Sequence, residues 1–358
     1  MNTPKTHFAR ETAEAPERVS RLLDQEAGAF QQLGARIAVL NPRVIATAAR
    51  GSSDHAASFF KYTVETVLGI PVASIGPSIA SIYDAPLNLA GGVLVTISQS
   101  GSSPDLRALQ ASARRSGALT VALVNQTESP IAAEADVVLP LHAGPEVSVA
   151  ASKSFIASLV AGAALVAAIS GDEGLHRALR TLPGHLVRAL ACDWSRALPS
   201  FAAAPSSFTL GRGPALAIAR EAALKCKEMA ARHAEAFSLA EVMHGPLRLA
   251  GREFPMLAFV PEDRALEANR AALARLVALG TPVFTAGPAD LPGNGLPGNG
   301  LPGNGLPGIG LPVIRTGSGI VDAICLIQSF YPFAGELARI RGLDPDQPAH
   351  LAKVTHTL

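Results

Sequence analysis

The chain has 358 residues, 48% of them hydrophobic and 16% charged, enough for a large two-lobed domain or two ordinary ones with a substantial core. Thirty basic against twenty-nine acidic residues leave a formal net charge of +1, which excludes nucleic acid or an anionic membrane as the main partner and leaves a small anionic ligand to be bound by a local site. Cys192, Cys226 and Cys325 are odd in number and widely spaced, and the N-terminus lacks the apolar run of a secretory signal, so a reducing cytoplasm is expected, with no disulfide framework, no zinc site and no membrane span.

Residues 6–25 mix charge with scattered apolar positions and predict N-terminal helices broken near Pro16, followed by a helix from about Glu26 to Leu40. Val44-Ile-Ala-Thr-Ala-Ala reads as a buried strand ending in the polar turn Arg50-Gly51-Ser52-Ser53-Asp54-His55, with a helix from Ala56 to Leu68. The arrangement returns in the strand Val93 to Ile97, the serine-rich turn Ser98 to Ser103, the helix Leu106 to Ser116 and the strand Leu119 to Val124. The apolar run Phe155 to Ile169 is short and rich in Ala and Gly, which predicts a buried core helix.

After a helical linker from Glu173 to about Leu198 the pattern begins again: a strand from Ser207 to Gly211, a helix from Glu221, a strand Pro255 to Val260, a helix Leu266 to Leu279 and a strand Pro282 to Thr285. The expected fold is therefore α/β, with two tandem doubly wound, flavodoxin-like parallel sheets carrying helices on both faces, produced by internal duplication. The expected organisation is an N-terminal helical segment over 1–30, a first lobe over 31–180, a second lobe over 195–340 and a C-terminal tail over 341–358. A Leu-Pro-Gly-Asn-Gly repeat occupies 291–310 within the second lobe, and its Pro and Gly content predicts a surface loop without chemistry of its own.

Two stretches carry candidate chemistry. Glu221, Lys225 and Glu228 fall at i, i+4 and i+7 of a segment rich in Ala, Leu, Lys and Glu, with no Gly or Pro before Gly245, so its first part should be one helix with two carboxylates and an ammonium on one face. His244 follows on a turn set by Gly245-Pro246, and a glutamate with a histidine can form a proton-transfer pair. Ser98-Gln99-Ser100-Gly101-Ser102-Ser103 closes a strand and opens a helix, where backbone N–H groups and hydroxyls suit a phosphate. It lacks both the Walker lysine and the GxGxxG of a dinucleotide site. Ser52 and Ser53, at the equivalent turn of the first repeat, strengthen the ligand reading, because α/β folds bind at the carboxyl ends of their strands.

The set Arg50-Gly51-Ser52-Ser53, Ile97 to Gly101, His142-Ala-Gly-Pro-Glu146-Val-Ser-Val149 to Lys153, Leu210 to Gly213, Glu221 to Glu228, His244-Gly-Pro246, Asp346 to Pro348 and Leu351-Ala352-Lys353 resembles the double sugar-isomerase (SIS) family. It is similar in particular to the isomerase half of glucosamine-6-phosphate synthase and to the alternative-type glucosamine-6-phosphate deaminases, over nearly the whole chain outside the repeat. The resemblance implies that Ser98, Gln99, Ser100 and Ser103 bind a sugar phosphate, that Ser52 and Ser53 lie along the sugar, and that Glu146, Val149, Ala352 and Lys225 complete the substrate pocket. Glu228 would move a proton between C1 and C2, His244 would assist ring opening and Lys353 would meet the open-chain carbonyl. It further implies a homodimer in which His244 enters the neighbouring subunit's site, and no metal or redox cofactor. Arg50 departs from the family's small residue at that position, and Ala151 from its serine. Because the chain enters the isomerase-like region almost at once, with no glutaminase half, the expected reaction is conversion of glucosamine 6-phosphate to fructose 6-phosphate and ammonia. Alternatives are a fructosamine-phosphate deglycase, a galactosamine- or tagatose-phosphate deaminase-isomerase and, in a different class, a non-catalytic sugar-phosphate sensor.

Overall fold

Ten short strands form two separate parallel sheets among the residues described by the computed structural model, 6–291 and 308–353. In chain order the first elements are α1 (His7–Gln25), α2 (Ala27–Leu40), β1 (Ile45–Ala48), α3 (Gly51–Val67), β2 (Val72–Ser74), α4 (Ser78–Ser81), β3 (Val93–Ser98), α5 (Pro104–Arg115), β4 (Leu119–Val124), α6 (Pro130–Glu134), β5 (Val137–Pro140) and α7 (Lys153–Ser170). There follow α8 (Glu173–Ala189), α9 (Leu198–Ala203), β6 (Ser206–Gly211), α10 (Pro214–Ala230), β7 (His233–Ser238), β8 (Met256–Phe259), α11 (Leu266–Ala278), β9 (Val283–Ala286), β10 (Gly308–Leu311) and α12 (Gly319–Ile340). One compact unit comprises residues 14–147, 151–183 and 351–353 and holds β1–β5; the other comprises 6–13, 148–150, 184–291 and 308–350 and holds β6–β10.

The first sheet runs β2-β1-β3-β4-β5 and the second, read from its other edge, β7-β6-β8-β9-β10. Each is the flavodoxin-like order, with helices on both sides, so the duplication visible in the sequence is also a duplication of topology. Strands β1, β3 and β4 are buried along their whole length, as a parallel sheet covered on both faces requires. In the β1–β5 unit the core helix is α7, whose Phe155, Ile156, Leu159, Val160, Leu165 and Val166 are essentially inaccessible, each worth roughly 1.5–3 kcal/mol of burial. Its neighbour α2 approaches through Gly34, where a Cβ would stand 2.8 Å from the backbone of Ala168. α12 has the corresponding place in the other unit and packs on α10. Both α7 and α12 are long and apolar enough to cross a membrane, yet most of each is buried.

Four sequence expectations differ from the structure. The helix α1 continues through Pro16. Proline at that position deprives the Thr12 carbonyl of its helical donor, and the Gln328 side-chain amide takes its place at 3.0 Å. The segment expected to continue as helix past Glu228 stops at Ala230; Ala231 turns left-handed at φ 46°, and His233–Ser238 pairs with β6 as an edge strand. The helix-forming Ala and Glu there yield to the sheet edge that β6 offers. The turn predicted over Arg50 to His55 is already helix from Gly51, so Ser52 and Ser53 occupy the first turn of α3. Finally, the end of the repeat is strand: Gly308–Leu311 pairs with β9 where Ile309 replaces the Asn of the earlier copies, while the loop expectation for 292–307 lies outside the described residues.

Candidate functional site

In the β1–β5 unit the strand order reverses direction between β1 and β3, and the chain leaves the carboxyl ends of these two neighbours in opposite senses. This is the crevice in which open α/β sheets bind ligands. Its walls are the first turn of α3, with Ser52 and Ser53 half-buried, and the turn Ser98 to Ser103 leading into α5. Within that turn the buried Ser98 hydroxyl accepts from the Gly101 N–H at 3.0 Å, Ser100 Oγ accepts from the Ser102 N–H at 3.3 Å, and Gln99, Ser100 and Ser103 stay partly exposed. Gly101 is required twice over: its φ is +62°, and a Cβ there would fall 2.0 Å from the Ser129 hydroxyl. The turn is thus a fixed ring of hydroxyls and amides at the start of a helix, suited to an anion.

Across the crevice, Arg50 donates through Nε at 2.8 Å and Nη2 at 2.7 Å to Oδ2 of Asp105, the second residue of α5. Nothing in the spacing of residues 50 and 105 announces this pair. Asp105 reads in sequence as an ordinary acidic residue in a helix's first turn, where the macrodipole favours it.

A second cluster of the same unit gathers around Glu146, whose side chain is fully buried. Its Oε1 accepts from the N–H groups of Ser152 and Ser154 at 3.0 and 3.1 Å, while Oε2 accepts from the Ser154 hydroxyl at 2.6 Å and from the Lys353 ammonium at 2.8 Å. Burial alone would raise the carboxyl's pKa, but the Lys353 charge and these hydrogen bonds outweigh it and hold Glu146 below the usual carboxylate range. Glu146 and Lys353 are therefore brought together, with Ala352 exposed beside the lysine. Ser154 is the partner that sequence reasoning missed; only its place at the start of α7, next to the Ser152-Lys153 pair, could have suggested it. Lys153 is committed elsewhere, to Glu14 at 2.6 Å.

In the β6–β10 unit, α10 presents Glu221, Lys225 and Glu228 on one face, as their spacing predicts. Lys225 is buried and lies 3.2 Å from Glu221 Oε1 and 2.5 Å from Glu228 Oε2; Glu221 is buried too, whereas Glu228 keeps 20% of its side-chain surface. Burial opposes the lysine's charge, but the two carboxylates prevail and raise its pKa above the ordinary value. Glu228 is thus a positioned carboxylate at the edge of a buried charge cluster. His244 lies between two short 3₁₀ segments, Glu241–Met243 and Gly245–Leu249, exposed and with no side-chain hydrogen bond to its ring among the described residues. Val149 is half-buried in this unit, its N–H 3.5 Å from the Asp346 carbonyl. Asp346 itself caps α1, accepting from the N–H groups of His7 and Phe8 at 2.6 and 2.7 Å.

Residues 40–168 and 200–285 match the SIS domain family. Glutamine–fructose-6-phosphate aminotransferase (isomerizing) of Pseudomonas syringae pv. tomato is 32% identical over 97% of this chain, which spans 58% of that protein's length. Among solved structures, a candidate phosphosugar isomerase from Silicibacter pomeroyi DSS-3 is 42% identical with a TM-score of 0.88, the alignment covering 95% of this chain and all of that one. The C-terminal domain of the glucosamine-fructose-6-phosphate aminotransferase from Francisella tularensis is 25% identical with a TM-score of 0.84, covering 96% and 99% of the two chains. With both sheets of the SIS arrangement and the family's match over most of its length, the chain belongs to the SIS domain family.

Proposed function

We propose that this protein is a sugar-phosphate isomerase acting on an amino sugar, and that its reaction is the conversion of glucosamine 6-phosphate to fructose 6-phosphate and ammonia. The observation that carries the reading is the carboxylate of Glu228, held by a buried lysine on α10 and left partly open to a ligand. An aldose-ketose shift needs one base that serves two adjacent carbons, and a fixed carboxylate meets that need.

In this reading the serine turn 98–103 and the first turn of α3 hold the phosphate and sugar. His244 passes a proton between ring oxygen and O1 as the ring opens, contributed by the neighbouring copy in a homodimer. Glu228 takes the proton from C2 of the open-chain aldehyde and returns it to C1, while O1 gains a proton to become a hydroxyl and the amino nitrogen gives one up. The product is a C2 imine, which water hydrolyses to the ketone and ammonia; atoms and charge balance without a redox partner. Lys353, donating to Glu146, is presented as an ammonium and stabilises negative charge developing on O1.

The test measures fructose 6-phosphate and ammonia released from glucosamine 6-phosphate in the absence of glutamine. Native protein should give both in equal amounts, and Glu228→Gln should lose about 10²–10⁴-fold in turnover while remaining folded by circular dichroism. Equal turnover by the two proteins removes Glu228 from the reaction. Release of neither product sets the deaminase aside, and interconversion by native protein of aldose and ketose phosphates that carry no amino group retains the isomerase.

A further inference from the structure

Arg50 brings a positive charge to the point where β1 passes into α3. We propose that Arg50 is a specificity-determining residue of the β1–β3 crevice, contacting the phosphate ester of a phosphorylated sugar; this rests on the sugar-phosphate reading above.

Three observations carry it. First, Arg50 caps α3 in extended conformation directly after β1, and its guanidinium reaches the opening turn of α5, so the side chain bridges the two loops that form the crevice. Second, the ion pair is layered: the Asp105 carboxylate is 0% exposed, while the arginine retains 48% of its side-chain surface. The negative end lies underneath and the positive end faces outward, so the pair offers an anion a cationic face. Third, Nε and Nη2 are both spent on one carboxylate oxygen, which fixes the plane of the guanidinium and leaves the Nη1 hydrogens outside the pair.

The serine turn alone offers neutral hydroxyls and amides, and Asp105 alone would set a carboxylate beside a dianionic phosphate. Arg50 cancels that charge and adds donors whose hydrogen bonds to phosphate are charge-assisted. The expected consequence is discrimination by phosphate: a phosphorylated sugar gains from Arg50, whereas its unphosphorylated counterpart does not.

The experiment is calorimetric titration of the full chain with fructose 6-phosphate, and separately with inorganic phosphate, which reads binding without turnover. Arg50→Ala on its own leaves the buried Asp105 without its cation, so the informative variant is Arg50→Ala with Asp105→Asn, which removes both charges. Its affinity for fructose 6-phosphate should fall roughly tenfold or more, the effect of one lost charge-assisted hydrogen bond. Native affinity in the double variant means that the pair is structural only and overturns the proposal. Should the double variant fail to fold, Arg50→Gln, which keeps an amide donor for Asp105 and removes the cation, should show the same loss, and native affinity there overturns the proposal equally. If native protein binds neither fructose 6-phosphate nor inorganic phosphate, the sugar-phosphate reading falls and this one with it. Binding by native protein that is unaltered in the variants overturns Arg50 alone.

Discussion

Helices α3 and α10 are counterparts: each is 17 residues long and each follows the first strand of its sheet. They handle charge in opposite ways. The ion pair of α3, Lys61 with Glu65, retains 37% and 31% of its side-chain surface, whereas on α10 Lys225 and Glu221 retain none. Water can replace most of what the α3 pair provides, so packing dictates little about those residue types. Burying an ammonium and a carboxylate costs several kcal/mol for each ion before their attraction returns any of it, and an apolar pair of similar volume would serve the fold as well. Charges kept inside α10 are thus explained by what they do to the third member, the partly open Glu228. Starting from one duplicated plan, the first sheet's unit holds the candidate anion-binding turn and the second's unit holds a carboxylate fixed by a buried lysine.

Lys225 carries the largest expected effect. Lys225→Met conserves length and removes the cation from beside a buried glutamate, so urea unfolding should show a loss of about 3–5 kcal/mol, with turnover falling as well. The pH dependence has a definite sign. Because the folded pKa of Lys225 is raised, its contribution is fully present below the unfolded value of about 10.4 and is lost as pH rises through the higher folded value. The variant should lack this alkaline limb. A variant as stable as native protein would show that α10 tolerates its buried carboxylate without the lysine.

Glu146 sharpens the contrast from within the first unit, since it too is buried and charged, but its cation comes from the chain's tail. Glu146→Ala removes the acceptor of two backbone amides, a hydroxyl and the Lys353 ammonium, and should cost about 2–3 kcal/mol. Here the folded pKa is lowered, so the stabilisation is present above the unfolded carboxylate value of about 4.3 and disappears as pH falls through the lower folded value. Acid unfolding should therefore be shallower in the variant. An equal acid limb in both proteins would mean that another carboxylate governs acid stability.

The strand and helix plan was legible because buried parallel strands read as continuous apolar runs; Val93 to Ser98 and Leu119 to Val124 could hardly be mistaken. The edge strand His233–Ser238 was illegible, since its alternating His, Ala and Glu favour a helix locally and only the neighbouring β6 makes them extended. The continuity of α1 through Pro16 was hidden for a related reason: the donor that makes it tolerable, Gln328, lies 316 residues away from the carbonyl it satisfies. At the candidate site, the α10 charges showed in sequence because i, i+4 and i+7 spacing is local. Arg50 with Asp105 and Glu146 with Lys353 did not, because separations of 55 and 207 residues carry no period to read.

The smallest effect is expected on α3. Lys61→Ala breaks the exposed ion pair and a 2.9 Å hydrogen bond to the Val72 carbonyl, while Glu65 keeps its bond from the Val72 N–H at 3.0 Å, so the link from α3 to β2 survives through the glutamate. The loss should be about 0.5–1 kcal/mol and should shrink further as salt is added, because the charges are screened. Sugar-phosphate turnover should be unchanged. Lys225→Met should respond less to salt, since Lys225 and its partner Glu221 are fully buried. If Lys61→Ala proved as costly as Lys225→Met, burial would not be what separates the two helices, and the charges of α10 would need no functional explanation.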